Sequence, residues 1–356
     1  MRSLPPRGRL STFWAVTLKA PLMNAANPVN PATLNPDSRV VAIDIGGTLT
    51  KIGLVQASGT ILEVEVLETH ARQPFARFKD RLAAVLGRMR QQSGQQPPLA
   101  IGVGAPNASA EAGTMVTPPN FGWGPEIPLV RTIQEIWDLP VILTNDANAA
   151  ALGEFRFGVA RGMQHFVTLT LGTGLGSGII SHGKLLTGHN GMAGELGHLN
   201  VYPEGRQCNC GLKGCLETYA SVTGIRRTIS ELIAERTEPS ALRGVSFEQL
   251  TGAAISRAAL EGDRLALEAF RITAEILGIK MADMVAHLDP EAFVISGGLS
   301  QAGDILLEPL QASMERKLFP VYRGKVKVLV SAHGSQEAVL GPAALAFAQL
   351  EAALEA

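Results

Sequence analysis

Between positions 194 and 217 the chain reads Gly194-Glu195-Leu196-Gly197-His198, a nine-residue interval, then Cys208-Asn209-Cys210-Gly211-Leu212-Lys213-Gly214-Cys215-Leu216-Glu217. All three cysteines lie in this stretch, and with His198 they place three thiols and one imidazole within 18 residues. Three thiolates and an imidazole are the donor set of a closed tetrahedral zinc site, which leaves no position for substrate, so such a metal would be structural. Gly205, Gly211 and Gly214 let the backbone turn tightly around an ion. A redox pair of Cys208 and Cys210 is the competing reading, and it leaves Cys215 and His198 without a purpose.

Two further places could hold phosphate. The β-rich run Val40 to Ile45 ends in Gly46-Gly47-Thr48, and the run His165 to Leu171 ends in Gly172-Thr173-Gly174. A glycine turn between strands lets backbone N–H groups approach a phosphate with no side chain in the way. Asp44, at the end of the first run, suits a Mg²⁺-bound water beside that phosphate, and Lys51 could add positive charge. Thr48 and Thr173 could donate hydroxyl hydrogen bonds. Taken singly, each turn reads as an ordinary hairpin connection. Neither closes with the Gly-Lys-Ser/Thr of a Walker A loop, and neither has the Rossmann glycine spacing. At Asn145-Asp146 the strand Val141 to Thr144 gives way to a helix. Asp146 could take a proton from an attacking hydroxyl; alone, N-capping the helix is the commoner role for such an aspartate, and the two are compatible.

The elements that must position these residues follow from pattern. Val40–Ile45 and Lys51–Val55 read as a hairpin, with a third strand over 63–69. Phe78, Leu82, Val85, Leu86 and Met89 repeat at helical spacing within 75–90. A buried strand at 99–104, a helix at 130–137, the strand at 141–144 and a helix at 147–157 follow. The second half repeats the opening grammar of strand, glycine turn, strand, 126 residues on if Gly46 is set against Gly172. This hints at a duplicated α/β unit with a cleft between the copies. Helices over 221–236 and 250–277, a strand at 292–295 and a helix after Gly334 complete an α/β chain.

Composition bounds the alternatives. The chain has 356 residues, 46% of them hydrophobic, which suits about two packed domains. A net charge of −1 argues against a chain built mainly to hold nucleic acid or an anionic membrane. The longest apolar runs, such as Ala338 to Ala348, fall short of the roughly 18 residues of a membrane span. Three cysteines exclude a disulfide framework. Residues 1–38 carry six prolines and no sustained period, and read as a flexible extension, with Met23 as an alternative start. Arg2, Arg7 and Arg9 before Leu10–Leu18 only faintly suggest a signal peptide.

With these residues assembled, the chain resembles the ROK family of bacterial sugar kinases and regulators, within the hexokinase–actin–chaperone ATPase superfamily. The likeness runs from about Val40 to the C-terminal helix. It rests on Asp44-Ile45-Gly46-Gly47-Thr48 with Lys51, on Leu171 to Gly178, on Glu-x-Gly-His at 195–198 and on the complete Cys-x-Cys-Gly-x-x-Gly-Cys-x-Glu at 208–217. It also covers Gly102–Pro106, Pro119–Trp123, Asn145–Asn148 and Val294–Gly298.

The resemblance implies a two-lobed ribonuclease-H-like (actin-like ATPase) fold with an interdomain cleft and a zinc loop over 198–215. The lobes would be 39–145 plus 335–356, and 146–334. It implies phosphoryl transfer from Mg·ATP to O6 of a hexose, glucose first, with N-acetylglucosamine, mannose or fructose behind it. Asp146 would be the base. Asn120, Asn145, Glu195, His198 and Glu217 would bind the sugar, with His198 also on zinc beside Cys208, Cys210 and Cys215. Asp44, Gly46, Gly47, Thr48, Lys51, Gly172, Thr173, Gly174, Gly297 and Gly298 would bind the nucleotide. The partners implied are a hexose and ATP, with no nucleic acid and no membrane. A cytoplasmic homodimer is expected. Asn107 stands where many relatives have glycine, and Leu49 where many have lysine. A sugar-responsive ROK regulator is the rival outside the enzymes, and polyphosphate is the rival donor.

Overall fold

The computed structural model describes residues 34–94, 96–118 and 121–355. The first half runs β1 (Arg39–Ile45), β2 (Leu49–Gln56), β3 (Ile61–Glu68), α1 (Phe75–Gln92), β4 (Ile101–Ala105), three short strands β5 (Ala108–Ser109), β6 (Thr114–Val116) and β7 (Glu126–Ile127), α2 (Leu129–Ile136) and β8 (Val141–Asn145). α3 (Asp146–Arg156) leads to β9 (Phe166–Leu171), β10 (Leu175–Ser181) and β11 (Lys184–Leu185). Then come α4 (Val222–Glu235), α5 (Gly252–Leu260), α6 (Arg264–Leu288), β12 (Ala292–Ser296), α7 (Asp304–Lys317), β13 (Lys327–Val330) and α8 (Leu340–Glu355).

The repeated hairpin grammar extends to whole sheets. One has the order β3-β2-β1-β4-β8 and the other β11-β10-β9-β12-β13. In each, the first two pairings are antiparallel and the last two parallel. The central strands are apolar on both faces, as strands covered on two sides must be. α1 buries the predicted stripe Phe78, Leu82, Val85, Leu86 and Met89.

Two helices change sides. α3 follows the first sheet but packs on β9 and β10 of the second; α8 follows the second sheet but packs on β1, β4 and β8 of the first, and the two helices meet. Contact this close needs backbone without side chains. A Cβ on Gly102 would fall 1.8 Å from the Pro342 carbonyl oxygen, and one on Gly341 would fall 2.5 Å from the Ala149 carbonyl oxygen. Several glycines therefore serve helix packing and not the nucleotide or metal loops.

The structure corrects other expectations. The helix read over 250–277 is two, broken at Gly262 (φ +85°), with Asp263 capping α6 through the N–H groups of Leu265 and Ala266. The apolar pattern could not show this, because both helices bury the same kind of face. β13, a half-buried edge strand, and β5–β7 were not anticipated. The stretch 337–354 is, by length and a mean hydropathy of 1.2, apolar enough to cross a membrane, contrary to the reading of short runs. Half of it is buried against the first sheet, as in a core helix. Residues 1–33 of the expected extension lie outside the described residues. Asn35 to Ser38 form a turn bonded to the β2–β3 connection through Ala57 N–H to Ser38 O (2.8 Å) and Ser58 N–H to Pro36 O (3.1 Å).

Candidate active site and metal-binding loop

The carboxyl ends of β1, β8, β9 and β12 carry Asp44, Asn145, the 172–174 turn and Gly297, the end of the strands at which open α/β sheets form a ligand crevice. At the end of β1, Asp44 faces Lys51 across the antiparallel pair, with Lys51 Nζ 3.6 Å from Asp44 Oδ2. Burial pushes the Asp44 carboxyl up and Lys51 partly pulls it back. Between them the Gly46 N–H donates to the Leu49 carbonyl (3.0 Å), closing the turn. Thr48 stays exposed.

The support for this turn was not read from the sequence. Thr69, fully buried, donates its hydroxyl to Gly46 O (2.7 Å), so the Thr50 hydroxyl 2.9 Å away must donate to Thr69. The Thr69 N–H donates to Thr48 O (2.8 Å), and Arg81 Nη2 donates to Thr69 O (2.9 Å). A threonine at a strand end carries no signal of such a task.

The second glycine turn is pinned from two sides. The Gly172 N–H donates to Gly174 O (3.0 Å), and α4 reaches the turn through Val222 N–H to Gly172 O and Thr223 Oγ1 to Thr173 O, both 2.8 Å. Gly297, at φ +90°, crosses the end of β9 so closely that a Cβ would lie 2.7 Å from the Leu171 backbone. This brings Gly297 and Gly298 beside the 172–174 turn.

Asn145 ends β8 and Asp146 opens α3. The cap is not Asp146: Asn145 Oδ1 accepts from the N–H groups of Ala147 (2.9 Å) and Asn148 (3.4 Å), which places Asp146 in the first turn. Relieved of capping, Asp146 accepts from the Ala147 N–H at 2.8 Å. Burial raises its pKa to about 6, with the negative charges of Asp44 and Glu195 acting in the same direction. Asp44, Asp146 and Glu195 therefore share one electrostatic neighbourhood.

His198 lies on a short 3₁₀ turn, Leu196–His198. Its Nδ1 is 3.8 Å from Cys208 Sγ, and its Nε2 is 3.9 Å from Glu195 Oε2. Cys210 Sγ is 3.6 Å from Cys215 Sγ, and one donor atom from each of His198, Cys208, Cys210 and Cys215 lies within 4.8 Å of the rest. A tetrahedral ion with metal–sulfur bonds of about 2.3 Å sets sulfur–sulfur edges of roughly 3.8 Å, so the four residues fit a metal. Burial pushes the thiols of Cys208 and Cys215 up, a cost that a bound cation would offset. Arg206, also not singled out in the sequence, clamps this loop to α4: it donates to Thr218 O (2.8 Å) and Glu231, and its guanidinium lies 4.5 Å over the Tyr219 ring.

Glu217 joins the metal loop to the second glycine turn. Oε1 accepts from Cys208 Sγ (3.3 Å) and Oε2 from the Leu175 N–H (3.2 Å). A Cβ on Gly174 would lie 2.4 Å from Oε2, so any side chain there would have to push the Glu217 carboxylate aside. Asn107 has φ +48°, a conformation glycine adopts freely and asparagine tolerates, which accounts for asparagine standing in a glycine position. Asn120 lies outside the described residues. Phe121 just after it comes near the first turn, 3.9 Å from where a Gly47 Cβ would be.

Comparison with known proteins agrees with this geometry. The model of the ROK family matches residues 40–349. A glucokinase of Halalkalibacterium halodurans is 36% identical over 86% of this chain and 94% of its own length. A xylose repressor of Caldicellulosiruptor bescii is 31% identical over 87% of this chain and 78% of its own. The crystal structure of a ROK family glucokinase from Streptomyces griseus in complex with glucose and AMPPNP superposes with a TM-score of 0.76, at 35% identity, over 86% of this chain and 99% of that one.

Proposed function

The chain belongs to the ROK family, and from that premise we propose that it is an ATP-dependent hexose kinase carrying the γ-phosphoryl group of ATP to O6 of glucose. The observation that carries the reading is Asp146. It is freed from capping by Asn145, held at a pKa of about 6, and set among Asp44, Glu195 and the strand ends. A carboxylate with that pKa is mostly ionised at pH 7 and close enough to the working pH to take a proton efficiently.

Phosphoryl transfer has a loose transition state, so alignment and charge neutralisation outweigh proton removal, and Asp146 orients the accepting hydroxyl as well as receiving its proton. The Gly46 and Gly172 N–H groups close the two turns, so the N–H groups of Gly47, Thr48, Thr173 and Gly174 would cradle the phosphates, Lys51 adding charge, with Gly297 and Gly298 toward the nucleoside. Asp44 would hold Mg²⁺ through water, and the ion would neutralise phosphate charge. Asn120, Asn145, Glu195, His198 and Glu217 would pair with the remaining sugar hydroxyls.

Zn²⁺ on Cys208, Cys210, Cys215 and His198 Nδ1 would hold the loop and fix the imidazole, leaving Nε2 for the sugar. In this reading 39–145 plus 335–356 and 146–334 are two actin-like lobes that close over the substrates and exclude water. The enzyme would work in the cytoplasm as a homodimer.

A panel of glucose, N-acetylglucosamine, N-acetylmannosamine, mannose and fructose with Mg·ATP, read by ADP release, tests the assignment. Glucose is expected to give the highest kcat/KM. No turnover above the ATPase background with any sugar would end the kinase reading. The repressor similarity favours a second reading, a sugar-responsive regulator, which predicts sugar binding without turnover in the same panel.

A further inference from the structure

Asn107, in the turn between β4 and β5, has no task in the kinase reading, and its backbone is unusual. It stands at φ +48°, in the left-handed region where glycine is free and most side chains are strained. Thr117 is at φ +40°, rarer still for a β-branched residue. The two segments hold each other: the Val116 N–H donates to Asn107 O (3.0 Å), and Asn107 Nδ2 donates to Thr117 O (3.2 Å). Strain of this kind persists where the surrounding structure fixes a side chain in one place, and it gathers at ligand sites.

What the amide is held for follows from its surroundings. Asn107 is half-buried and borders a recess of about 10 Å³ together with Asn145, Met192 and Glu195. Asn145 adjoins Asp146, and Met192 and Glu195 belong to the segment that leads into His198, so the recess lies at the place assigned to the sugar. The bond to Thr117 O fixes which end of the Asn107 amide is nitrogen. Oδ1 is the end left over, and among the described residues nothing donates to it. Asn145 has the opposite bias, because its Oδ1 is spent on the α3 cap and its NH₂ group remains. One amide thus offers an acceptor and the other a donor. A hydroxyl can give a hydrogen bond to the first and take one from the second. A recess of that size admits one oxygen atom and no acetamido group.

We propose that Asn107 is a specificity-determining residue. Its Oδ1 accepts from a hydroxyl of the bound sugar, and its side chain fills the space that an acetamido substituent would need at the same point. The inference rests on the sugar site of the kinase reading, through Asn145 and Glu195.

The test compares wild type with Asn107→Gly, which removes the amide and suits a φ of +48° without strain, so the fold is expected to stand. Calorimetry reads the Kd of glucose, its singly deoxygenated analogues, N-acetylglucosamine and N-acetylmannosamine. The variant should bind glucose about 10-fold more weakly, with kcat within about threefold, because a ground-state contact is lost. At least one N-acetylhexosamine should bind the variant as well as or better than it binds wild type, so the preference for glucose falls at least about 10-fold. One deoxy analogue should bind wild type about 10-fold less tightly than glucose does, a gap that narrows in the variant. Equal weakening of every sugar, a glucose Kd within twofold of wild type, or a variant that binds no N-acetylhexosamine overturns the proposal. Should the variant not fold, wild-type crystals grown with glucose decide: a sugar oxygen about 2.7–3.2 Å from Asn107 Oδ1 supports it, and a sugar out of reach of that atom refutes it. Wild type that binds glucose but turns over no hexose with Mg·ATP defeats the kinase reading instead, and the Kd values still read the contact.

Discussion

Asp146→Asn removes a carboxylate that the fold holds at a cost. An aspartate with an ordinary pKa of 3.8 is held at about 6, so at neutral pH its ionised form is disfavoured in the folded state by about 3 kcal/mol. Asparagine keeps the shape and can still accept from the Ala147 N–H. Because the side chain retains some contact with solvent, the expected gain in stability is about 1–3 kcal/mol. The sign follows from the raised pKa. Protonation of the folded state is favoured below 6, so the wild-type penalty is absent below about pH 4, grows between 4 and 6, and is complete above 6. Thermal midpoints of ligand-free wild type and variant should therefore nearly coincide at pH 4 and separate by about 2–5 °C at pH 7.5, the variant higher. The same variant should lose at least about 100-fold in kcat while keeping sugar affinity within a few fold. A variant that melts below wild type at pH 7.5, or that turns over normally, would refute the reasoning.

Turnover of wild type should fall as pH drops through about 6, tenfold per unit below it, as Asp146 takes up its proton; a flat kcat/KM profile from 5 to 7 would remove it as the base. Chelation, or Cys210→Ser, should release about one equivalent of zinc, measured by metal analysis, and lower the melting temperature; wild type purified without zinc would contradict the site. Thr69→Val deletes the bond to Gly46 O and the partner of Thr50. It should raise the KM for ATP severalfold more than that for sugar, as steady-state kinetics would show. Gly174→Ala sets a methyl against Glu217 and should weaken nucleotide binding by calorimetry about 10-fold or more; unchanged affinity would mean that the turn has room to yield.

What could be read in advance was what repeats or clusters along the chain. The two hairpins, the α1 stripe and the Cys/His set follow from spacing over a few residues, and the structure places each where the pattern put it. What could not be read depends on distant partners. Thr69 holds Gly46 across 23 residues, and nothing in its neighbours distinguishes it from any strand threonine. Arg206 acts through Tyr219 and α4. The exchange of capping from Asp146 to Asn145 is local, yet both residues are good caps, and only the strand end decides which one stands first. The break at Gly262 is written as Glu261-Gly262-Asp263, a turn signal that the continuous apolar pattern on either side masks.

The exchange of α3 and α8 also governs the order in which this protein can become complete. The face of the first sheet formed by Val40, Ala42, Val55 and Ala100 is covered by Val339, Ala343, Ala346, Phe347 and Leu350. On a ribosome the strands of that sheet emerge before the residues that shield them, which follow only after the whole second sheet. Until then the nascent chain carries a finished hydrophobic surface without its lid, a target for chaperones and for neighbouring chains. Trimming the last helix should thus damage the oldest part of the fold, far from the cut in sequence and directly beneath it in space.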